Sequence, residues 1–315
     1  MRVVFMGTPD YAVKSLDALL DAGHEVLAVF TQPDRPKGRG GHVAMPPVKE
    51  RALALEIPVY QPRRIRTEGL EALKALQPDI CVTAAFGQIL SEEILAVPTL
   101  GTVNVHASLL PRYRGSAPVN WAIIMGEETS GVTTMQTDKG IDTGDILLQE
   151  STPIGPDETA GELTGRLADI GARLLVKTLE LIAKGQCPRR SQEEGAMSYY
   201  PMITRETGAV DWKQEAEKIA ALARGLNPWP GAFAMSPWGP MKILKARALP
   251  WEGKGDPGDI LTADARQGLV VKAGGGALRI VEMQMPGGQK MLSEDFLRGH
   301  SLPESGRMEN GVKNT

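Results

Sequence analysis

Arg2-Val3-Val4-Phe5-Met6-Gly7-Thr8-Pro9-Asp10 is an apolar run that stops at a single glycine turn. A short run that is apolar on both faces predicts a strand buried on both sides, as strands of parallel sheets are. From residue 10 to residue 20 apolar side chains recur at helical spacing, and the pattern ends at Gly23. Residues 25–31, Glu-Val-Leu-Ala-Val-Phe-Thr, predict a second strand. The alternation continues with a helix near 47–55, a short strand near Val59, a helix near 67–76 and strands at 79–84 and 102–106. Strands that alternate with helices predict a doubly wound, Rossmann-like α/β sheet. A helix is expected at 117–125, with Ser116 as N-cap and Pro118 in its first turn. An antiparallel pair at 132–138 and 146–151 should flank the loop 139–145. A long helix over 159–183 follows, carrying Leu163, Leu167, Ile170, Leu174 and Leu181 at helical spacing.

The glycine turn excludes one function. A dinucleotide loop needs further glycines so that the pyrophosphate can approach the backbone, and Gly7 stands alone. Asp34, which ends the second strand, is therefore expected in a turn and N-cap role. Beyond residue 187 the pattern changes. Residues 187–208 are polar and irregular, a helix is expected at 212–225, and short strands follow at 231–235, 241–250, 258–263, 268–273 and 277–284. Gly- and Pro-rich turns between short, evenly spaced strands predict a small β-barrel. The expected division is a catalytic domain over 1–188, a linker over 189–207 and a C-terminal domain over 208–315, with a polar, mobile tail after Gly299.

The chain has 315 residues, 42% of them apolar and 23% charged, which is the composition of a globular protein of about two domains. Its net charge of −3 argues against nonspecific nucleic-acid binding. From Gly208 onward there are 14 Lys and Arg against 12 Asp and Glu, so the C-terminal part is the less acidic one. No apolar run has the length of a membrane span, and the N-terminal residues show no cleavage pattern, so a cytoplasmic enzyme without membrane contact is expected. Cys81 and Cys187 form no metal-spaced pair, and Cys81 reads as core filler. No metal is expected.

The chemistry concentrates where the strand at 102–106 ends. Asn104, His106 and Ser108 sit on alternate residues, so they share one face at the end of the sheet where ligands of open α/β folds bind. Asp142 lies in Asp138-Lys-Gly-Ile-Asp-Thr-Gly-Asp145, a loop placed to fold over that end. A carboxamide N–H and a protonated imidazole can hold the oxyanion of a tetrahedral intermediate, and a carboxylate can manage a proton. That is the equipment of acyl transfer to an amine. Ser108 has no separate base, so direct transfer between two substrates is favoured over a covalent enzyme intermediate. Taken alone, His106 also reads as a satisfied core histidine and 138–145 as an ordinary turn. The loop lacks the ligand order of a calcium hand.

Asn-Val-His-Ala-Ser-Leu-Leu-Pro-Arg-Tyr-Arg-Gly at 104–115, followed by Gly-Ile-Asp-Thr-Gly-Asp-Ile at 140–146, resembles the formyltransferase superfamily that uses 10-formyltetrahydrofolate. The resemblance implies a catalytic trio of Asn104, His106 and Asp142. It implies folate contacts from Ser108, Leu109, Leu110 and Pro111, and a pterin-embracing loop containing Phe86, Gly87, Gln88, Ile89 and Leu90. Residues 30–40, Phe-Thr-Gln-Pro-Asp-Arg-Pro-Lys-Gly-Arg-Gly, with Met-Pro-Pro-Val-Lys at 45–49, resemble the branch whose amine is methionine on initiator tRNA. There the insertion after the second strand is a mobile basic loop that wedges into the acceptor stem. Leu226-Asn-Pro-Trp-Pro-Gly231 and the β-rich region resemble the OB-like, tRNA-contacting domain of that branch.

Arg35, Lys37 and Arg39 have no acid between them and stand among Gly38, Gly40 and Gly41, which suits a segment that orders on phosphate. Lys245 and Arg247, expected as tRNA contacts though taken alone they read as ordinary surface charge, are expected to share one face of a strand, with Lys242 on the other. Trp229, Trp238 and Trp251 read as core or interface anchors, with base stacking as the alternative. The implied enzyme is a monomer that formylates charged initiator methionyl-tRNA. The rival readings are a formyltransferase acting on an amino-sugar nucleotide or other small amine, and a noncatalytic tRNA-binding protein.

Overall fold

The computed structural model describes residues 1–37, 42–303 and 306–311. Its elements are β1 (Arg2–Gly7), α1 (Asp10–Asp21), β2 (Glu25–Phe30), β3 (Arg35–Lys37), β4 (His42–Ala44), α2 (Pro47–Ala54), β5 (Val59–Tyr60), α3 (Leu70–Leu76), β6 (Ile80–Ala84), α4 (Glu92–Leu95), β7 (Thr102–His106), α5 (Pro118–Ile124), β8 (Thr129–Gln136), β9 (Ile146–Pro153) and α6 (Ala160–Ala183). They continue with α7 (Ala216–Gly225), β10 (Ala232–Ser236), β11 (Gly239–Leu249), β12 (Ile260–Asp264), β13 (Gly268–Lys272), β14 (Ala277–Gln284), β15 (Lys290–Leu292) and α8 (Ser293–Leu297). The chain divides into two compact units. The first holds Met1–Pro118, Thr129–Pro153 and Thr164–Pro201; the second holds Val119–Glu128, Ile154–Leu163 and Met202–Thr315.

The first unit is built on a seven-stranded sheet of order β5-β2-β1-β6-β7-β8-β9. The strands from β5 to β7 are parallel, and β8 and β9 join antiparallel. Val3, Val4, Phe5 and Met6 are fully buried, as a strand covered on both faces requires. On one face Val4, Met6, Phe30, Leu73, Cys81 and Ile94 form a single cluster. Helix α1 buries Tyr11, Ala12, Ser15, Leu16 and Leu19, one stripe at helical spacing. A β-carbon on Gly7 would sit 2.7 Å from that of Ala12 and 2.8 Å from the Phe5 ring, so this glycine serves close strand-to-helix packing. The chain leaves β1 towards β2 and β5, then returns to β6 and β7 on the other side. The direction of winding therefore reverses between β1 and β6, which puts the ligand crevice of such sheets at the carboxyl ends of these strands.

Several expectations need correction. The segment expected as a flexible basic loop contains paired strands, with Arg35 opposite Ala44 and Lys37 opposite His42. Asp34 caps no helix: the N-cap of α2 is Pro46, and no side chain caps it. Its carboxylate instead accepts from Gln61 Nε2 at 2.7 Å and pairs with Lys49 Nζ at 2.6 Å. Those two hydrogen bonds hold its carboxyl below the usual carboxylate range. Burial pushes the Cys81 thiol up to about 12, in keeping with a core role. The short elements α4, β15 and α8 carry too few residues to show a period.

The second unit is an antiparallel sheet of order β10-β11-β14-β13-β12, with β15 paired to β14. Its core gathers Trp212, Ile219, Ile243, Val271, Ile280, Met283 and Phe296. The helix expected from 212 starts at Ala216, because Trp212 is drawn into this core. The tail is not mobile over 307–309. Glu309 N donates to Met235 O at 2.8 Å, Met308 N donates to Gly258 O at 2.8 Å, and Arg307 bridges Asp259. The strap thus ties β10 to the residues that lead into β12, the two edges of the sheet path, and Met308 is buried in the core.

A register irregularity on β11 around Lys245 changes the expected faces. Met241, Ile243 and Ala246 are buried, while Lys242, Lys245 and Arg247 stand opposite Gln284, Glu282 and Arg279. All three cations therefore share the outer face, where strict alternation separates Lys242 from the other two. Of the tryptophans, Trp238 packs on the core, edge-on to Phe296, whereas Trp229 and Trp251 are exposed. Among the described residues no helix is long and apolar enough to cross a membrane.

Replacing Met308 by Ala removes a buried side chain from the strap. We expect a loss of about 2–5 kcal/mol, measured by chemical denaturation. A loss below about 1 kcal/mol would mean that the strap is peripheral.

Candidate active site

Thr102–His106 ends at the crevice, and the alternation of β7 presents Asn104 and His106 on one face. The neighbouring strand supplies Thr83, which pairs in register with Asn104. Thr83 Oγ1 donates to Asn104 Oδ1 at 3.0 Å. With its oxygen so engaged, the carboxamide turns Nδ2 towards Asp142 Oδ1, 3.5 Å away. His106 Nδ1 faces the same oxygen at 3.6 Å. The loop between β8 and β9 therefore brings Asp142 to both side chains of β7.

Asp142 is held by its other oxygen, since Gly115 N donates to Oδ2 at 2.8 Å. Its backbone is left-handed, with φ of 53°. Tyr113 shares this conformation at φ of 60°. Left-handed backbone costs a non-glycine residue roughly 1–2 kcal/mol, and such residues persist only where their surroundings over-determine them. Tyr113 has those surroundings: its N–H donates to Ser198 Oγ at 2.9 Å, and its ring stacks on Tyr200 at 5.2 Å. Its carbonyl accepts from His106 Nε2 at 3.0 Å. A carbonyl can only accept, so Nε2 carries a proton, and any second proton on the ring sits on Nδ1, facing Asp142. His106 is 7% exposed and Asp142 15% exposed by side chain, so both work with little water around them.

The other predicted site residues fall into two groups. Ser108 is buried and donates to Arg112 O at 2.7 Å, which commits its hydroxyl to the turn. Leu110 is buried against Met135 and Ile146. Leu109 and Pro111 are half-buried. In the loop after β6, Phe86 and Leu90 point into the core. Gln88 binds its neighbours, accepting from Ile65 N at 2.7 Å and donating to Pro62 O at 3.0 Å. Ile89 is 69% exposed. Thr8 Oγ1 and Gln32 Nε2 both donate to Phe86 O, so the loop is fastened to the ends of β1 and β2. Among the described residues, no main-chain N–H of residues 86–90 has a partner within the protein. A fixed loop with open amides and an exposed isoleucine suits a flat heterocycle with a polar edge.

The predicted cations are not brought to this trio. Arg35 is exposed at the start of β3, with Nη2 at 3.4 Å from Gln32 Oε1. Lys37 contributes backbone to the hairpin, and Arg39 lies outside the described residues. Lys245 and Arg247 belong to the second unit. Arg247 there pairs with Asp157 at 2.6 Å, and this hydrogen bond holds the Asp157 carboxyl below its ordinary range. Among the described residues no group of His, Cys, Asp and Glu could hold a metal ion.

Thr83, Tyr113 and Gly115 are not singled out by the sequence pattern. Thr83 leaves a trace, a polar residue in the apolar run Ile80-Cys-Val-Thr-Ala. Tyr113 and Gly115 act through backbone groups, which no side-chain pattern records.

Residues 1–179 match the family model described as formyl transferase, and residues 202–301 match that of the formyl transferase C-terminal domain. The methionyl-tRNA formyltransferase of Pelotomaculum thermopropionicum is 48% identical over 96% of this chain and 97% of its own length. That of Moorella thermoacetica is 49% identical over 96% of this chain and 97% of its own. Among solved structures, the N-formyltransferase of Helicobacter canadensis in complex with folinic acid and dTDP-3-aminofucose shares the fold. It aligns with a TM-score of 0.66 at 21% identity, over 92% of this chain and 99% of that one. HypX from Aquifex aeolicus aligns at 0.64 and 19% identity, over 95% of this chain and 47% of its own.

Gly144 admits no side chain, because a β-carbon there would sit 1.7 Å from the Gln136 carbonyl oxygen. Gly144→Ala should rearrange the loop and destabilise the protein by about 1–3 kcal/mol, read from thermal unfolding and from amide exchange at residues 138–145. Unchanged melting and exchange would contradict the close approach.

Proposed function

Because the chain belongs to the formyltransferase family, and within it to the methionyl-tRNA formyltransferases, we propose that Asn104, His106 and Asp142 carry its formyl transfer. The observation that supports this reading most directly is the convergence of Asn104 Nδ2 and His106 Nδ1 on Asp142 Oδ1, at 3.5 and 3.6 Å. Both contacts are long, so neither donor is consumed in the resting site.

The donor, 10-formyltetrahydrofolate, presents an amide-like formyl carbon to the free amine of methionine esterified to initiator tRNA. As the new C–N bond forms, negative charge grows on the formyl oxygen. Asn104 Nδ2–H and a protonated His106 Nδ1 are the donors placed to hold it, in a site largely closed to water. Thr83 keeps the amide of Asn104 the right way round, and the Tyr113 carbonyl keeps the imidazole from turning. Asp142 Oδ1, the oxygen not tied to Gly115, takes the proton that leaves the amine and delivers it to the departing nitrogen of the donor. The loop 86–90 and residues 108–111 hold the donor through open backbone amides, Ile89 and Leu109, while Ser108, Leu110, Phe86, Gln88 and Leu90 shape that surface from beneath. The reaction is assigned to a cytoplasmic monomer that needs no metal.

Phosphates of the tRNA meet Arg35 and Lys37 of β3, Arg39 beyond them in the sequence, and the outer face of β11, where Lys242, Lys245 and Arg247 align. The neighbouring Asp157 and Glu282 temper that face, so binding rests on several weak contacts. An amino-sugar nucleotide is disfavoured as acceptor. The sugar enzyme of shared fold is 21% identical, against nearly half for the methionyl-tRNA enzymes.

Two measurements test the assignment. With charged initiator tRNA and formyl donor, Asn104→Ala and Asp142→Asn should each lower kcat by about 10²–10³-fold, and turnover near wild type in either would refute the trio. An amino-sugar nucleotide should remain unformylated in the same assay. Lys245→Ala should weaken tRNA binding at unchanged kcat and flatten its salt dependence by about one ion released; an unaltered salt slope would remove this face from the tRNA path.

A further inference from the structure

We infer that Gln192 is a positioning residue for Asp142, acting from a segment that the sequence presents as linker; the inference rests on the catalytic role proposed for Asp142. Residues 189–200 belong to the first unit and hydrogen-bond to the turns that carry the site. Arg190 and Ile146 exchange both backbone hydrogen bonds, at 2.8 and 3.0 Å, which anchors the segment on the first residue of β9. Ser191 Oγ donates to Asp145 Oδ1 at 3.1 Å. Further on, Ser198 O accepts from Arg114 N at 2.9 Å, and Tyr200 stacks on Tyr113.

Gln192 stands between these anchors and uses both ends of its amide. Nε2 donates to Asp142 O and to Gly144 O, each at 2.8 Å. Oε1 accepts from Arg114 Nη2 at 2.8 Å and Nε at 3.1 Å. Only this orientation works. Turned over, the amide would set its oxygen against two carbonyls and its N–H groups against a guanidinium. One side chain therefore bridges the two turns that make the site: the left-handed turn at Asp142, and the turn that supplies the Tyr113 carbonyl and the Gly115 N–H.

Both contacts of Asp142 with the face of β7 are longer than ordinary hydrogen bonds, so they cannot hold the loop. The grip of Gln192 on the Asp142 and Gly144 carbonyls, with the Gly115 amide on Oδ2, does so. A displacement of about 1 Å at a reacting group can cost on the order of 10²-fold in rate. That is the sense in which a residue acting through Asp142 governs the reaction.

The test is a double-mutant cycle on the full chain, with charged initiator tRNA and formyl donor. Gln192→Ala should lower kcat by about 10- to 100-fold and leave KM for both substrates and the melting temperature close to wild type. Gln192→Glu keeps an acceptor for Arg114 but points oxygen at the Asp142 and Gly144 carbonyls, so it should be as slow as Gln192→Ala. In an Asp142→Asn background, Gln192→Ala should cost about twofold or less further, since what it positions is already disabled. Wild-type kcat in Gln192→Ala or Gln192→Glu overturns the inference, as does a loss that multiplies fully with that of Asp142→Asn or falls on the KM for tRNA alone. If Asp142→Asn itself turns over normally, the catalytic role of Asp142 falls first. A crippled Asp142→Asn beside a normal Gln192→Ala defeats the positioning role only.

Discussion

The backbone of Asp142 is the constraint on which the site depends. At φ of 53° it turns the loop after β8 back over the end of β7, and it points one carboxylate oxygen at Asn104 and His106. Aspartate tolerates this region better than most residues, yet the conformation is still a cost that something else must offset. Three contacts do so: the Gly115 amide on Oδ2, and the two donors of Gln192 on the carbonyls of Asp142 and Gly144. The loop can lie this close to β8 only because Gly144 has no side chain. Tyr113, also left-handed, answers from the opposite side with the carbonyl that fixes His106.

The sheet decides where this arrangement stands. Parallel strands from β5 to β7 send their carboxyl ends to one edge, so the loop after β6 and the turns after β7 meet there. Burial of β1 and β6 on both faces fixes that frame, and Thr83, nearly buried on β6, reaches across to Asn104 from the matching register position. Antiparallel β8 sets Gln136 opposite Val103, so the loop after it leaves beside the amino end of β7 and reaches Asn104 and His106 by folding back along that strand.

In the second unit the decisive features are irregularities. An interruption of register near Lys245 moves Lys242 to the outer face beside Arg247, and so gathers three cations that strict alternation would divide. A C-terminal strap of three residues pairs with both edges of the sheet path and sinks Met308 into the core. The strap satisfies backbone groups that an open edge would leave to water or to another chain.

Periodicity and burial are local properties, so the sequence by itself determined a great deal. The apolar run at 2–6, the helix after it and the repeating alternation predicted the α/β sheet, and the short turn-bounded strands predicted the antiparallel unit. The alternation of Asn104 and His106 was equally legible, because one face of one strand needs only counting, and the motif around Asp142 supplied its partner through resemblance. What the tertiary structure alone decided are the relations between residues distant in the chain: Thr83 with Asn104, the Tyr113 carbonyl with His106, and Gln192 with the loop 50 residues before it. These relations run through backbone groups, through a register set by a neighbouring strand, or through a polar segment without periodicity. None leaves a pattern in composition or spacing, and each exists only once the chain has closed on itself.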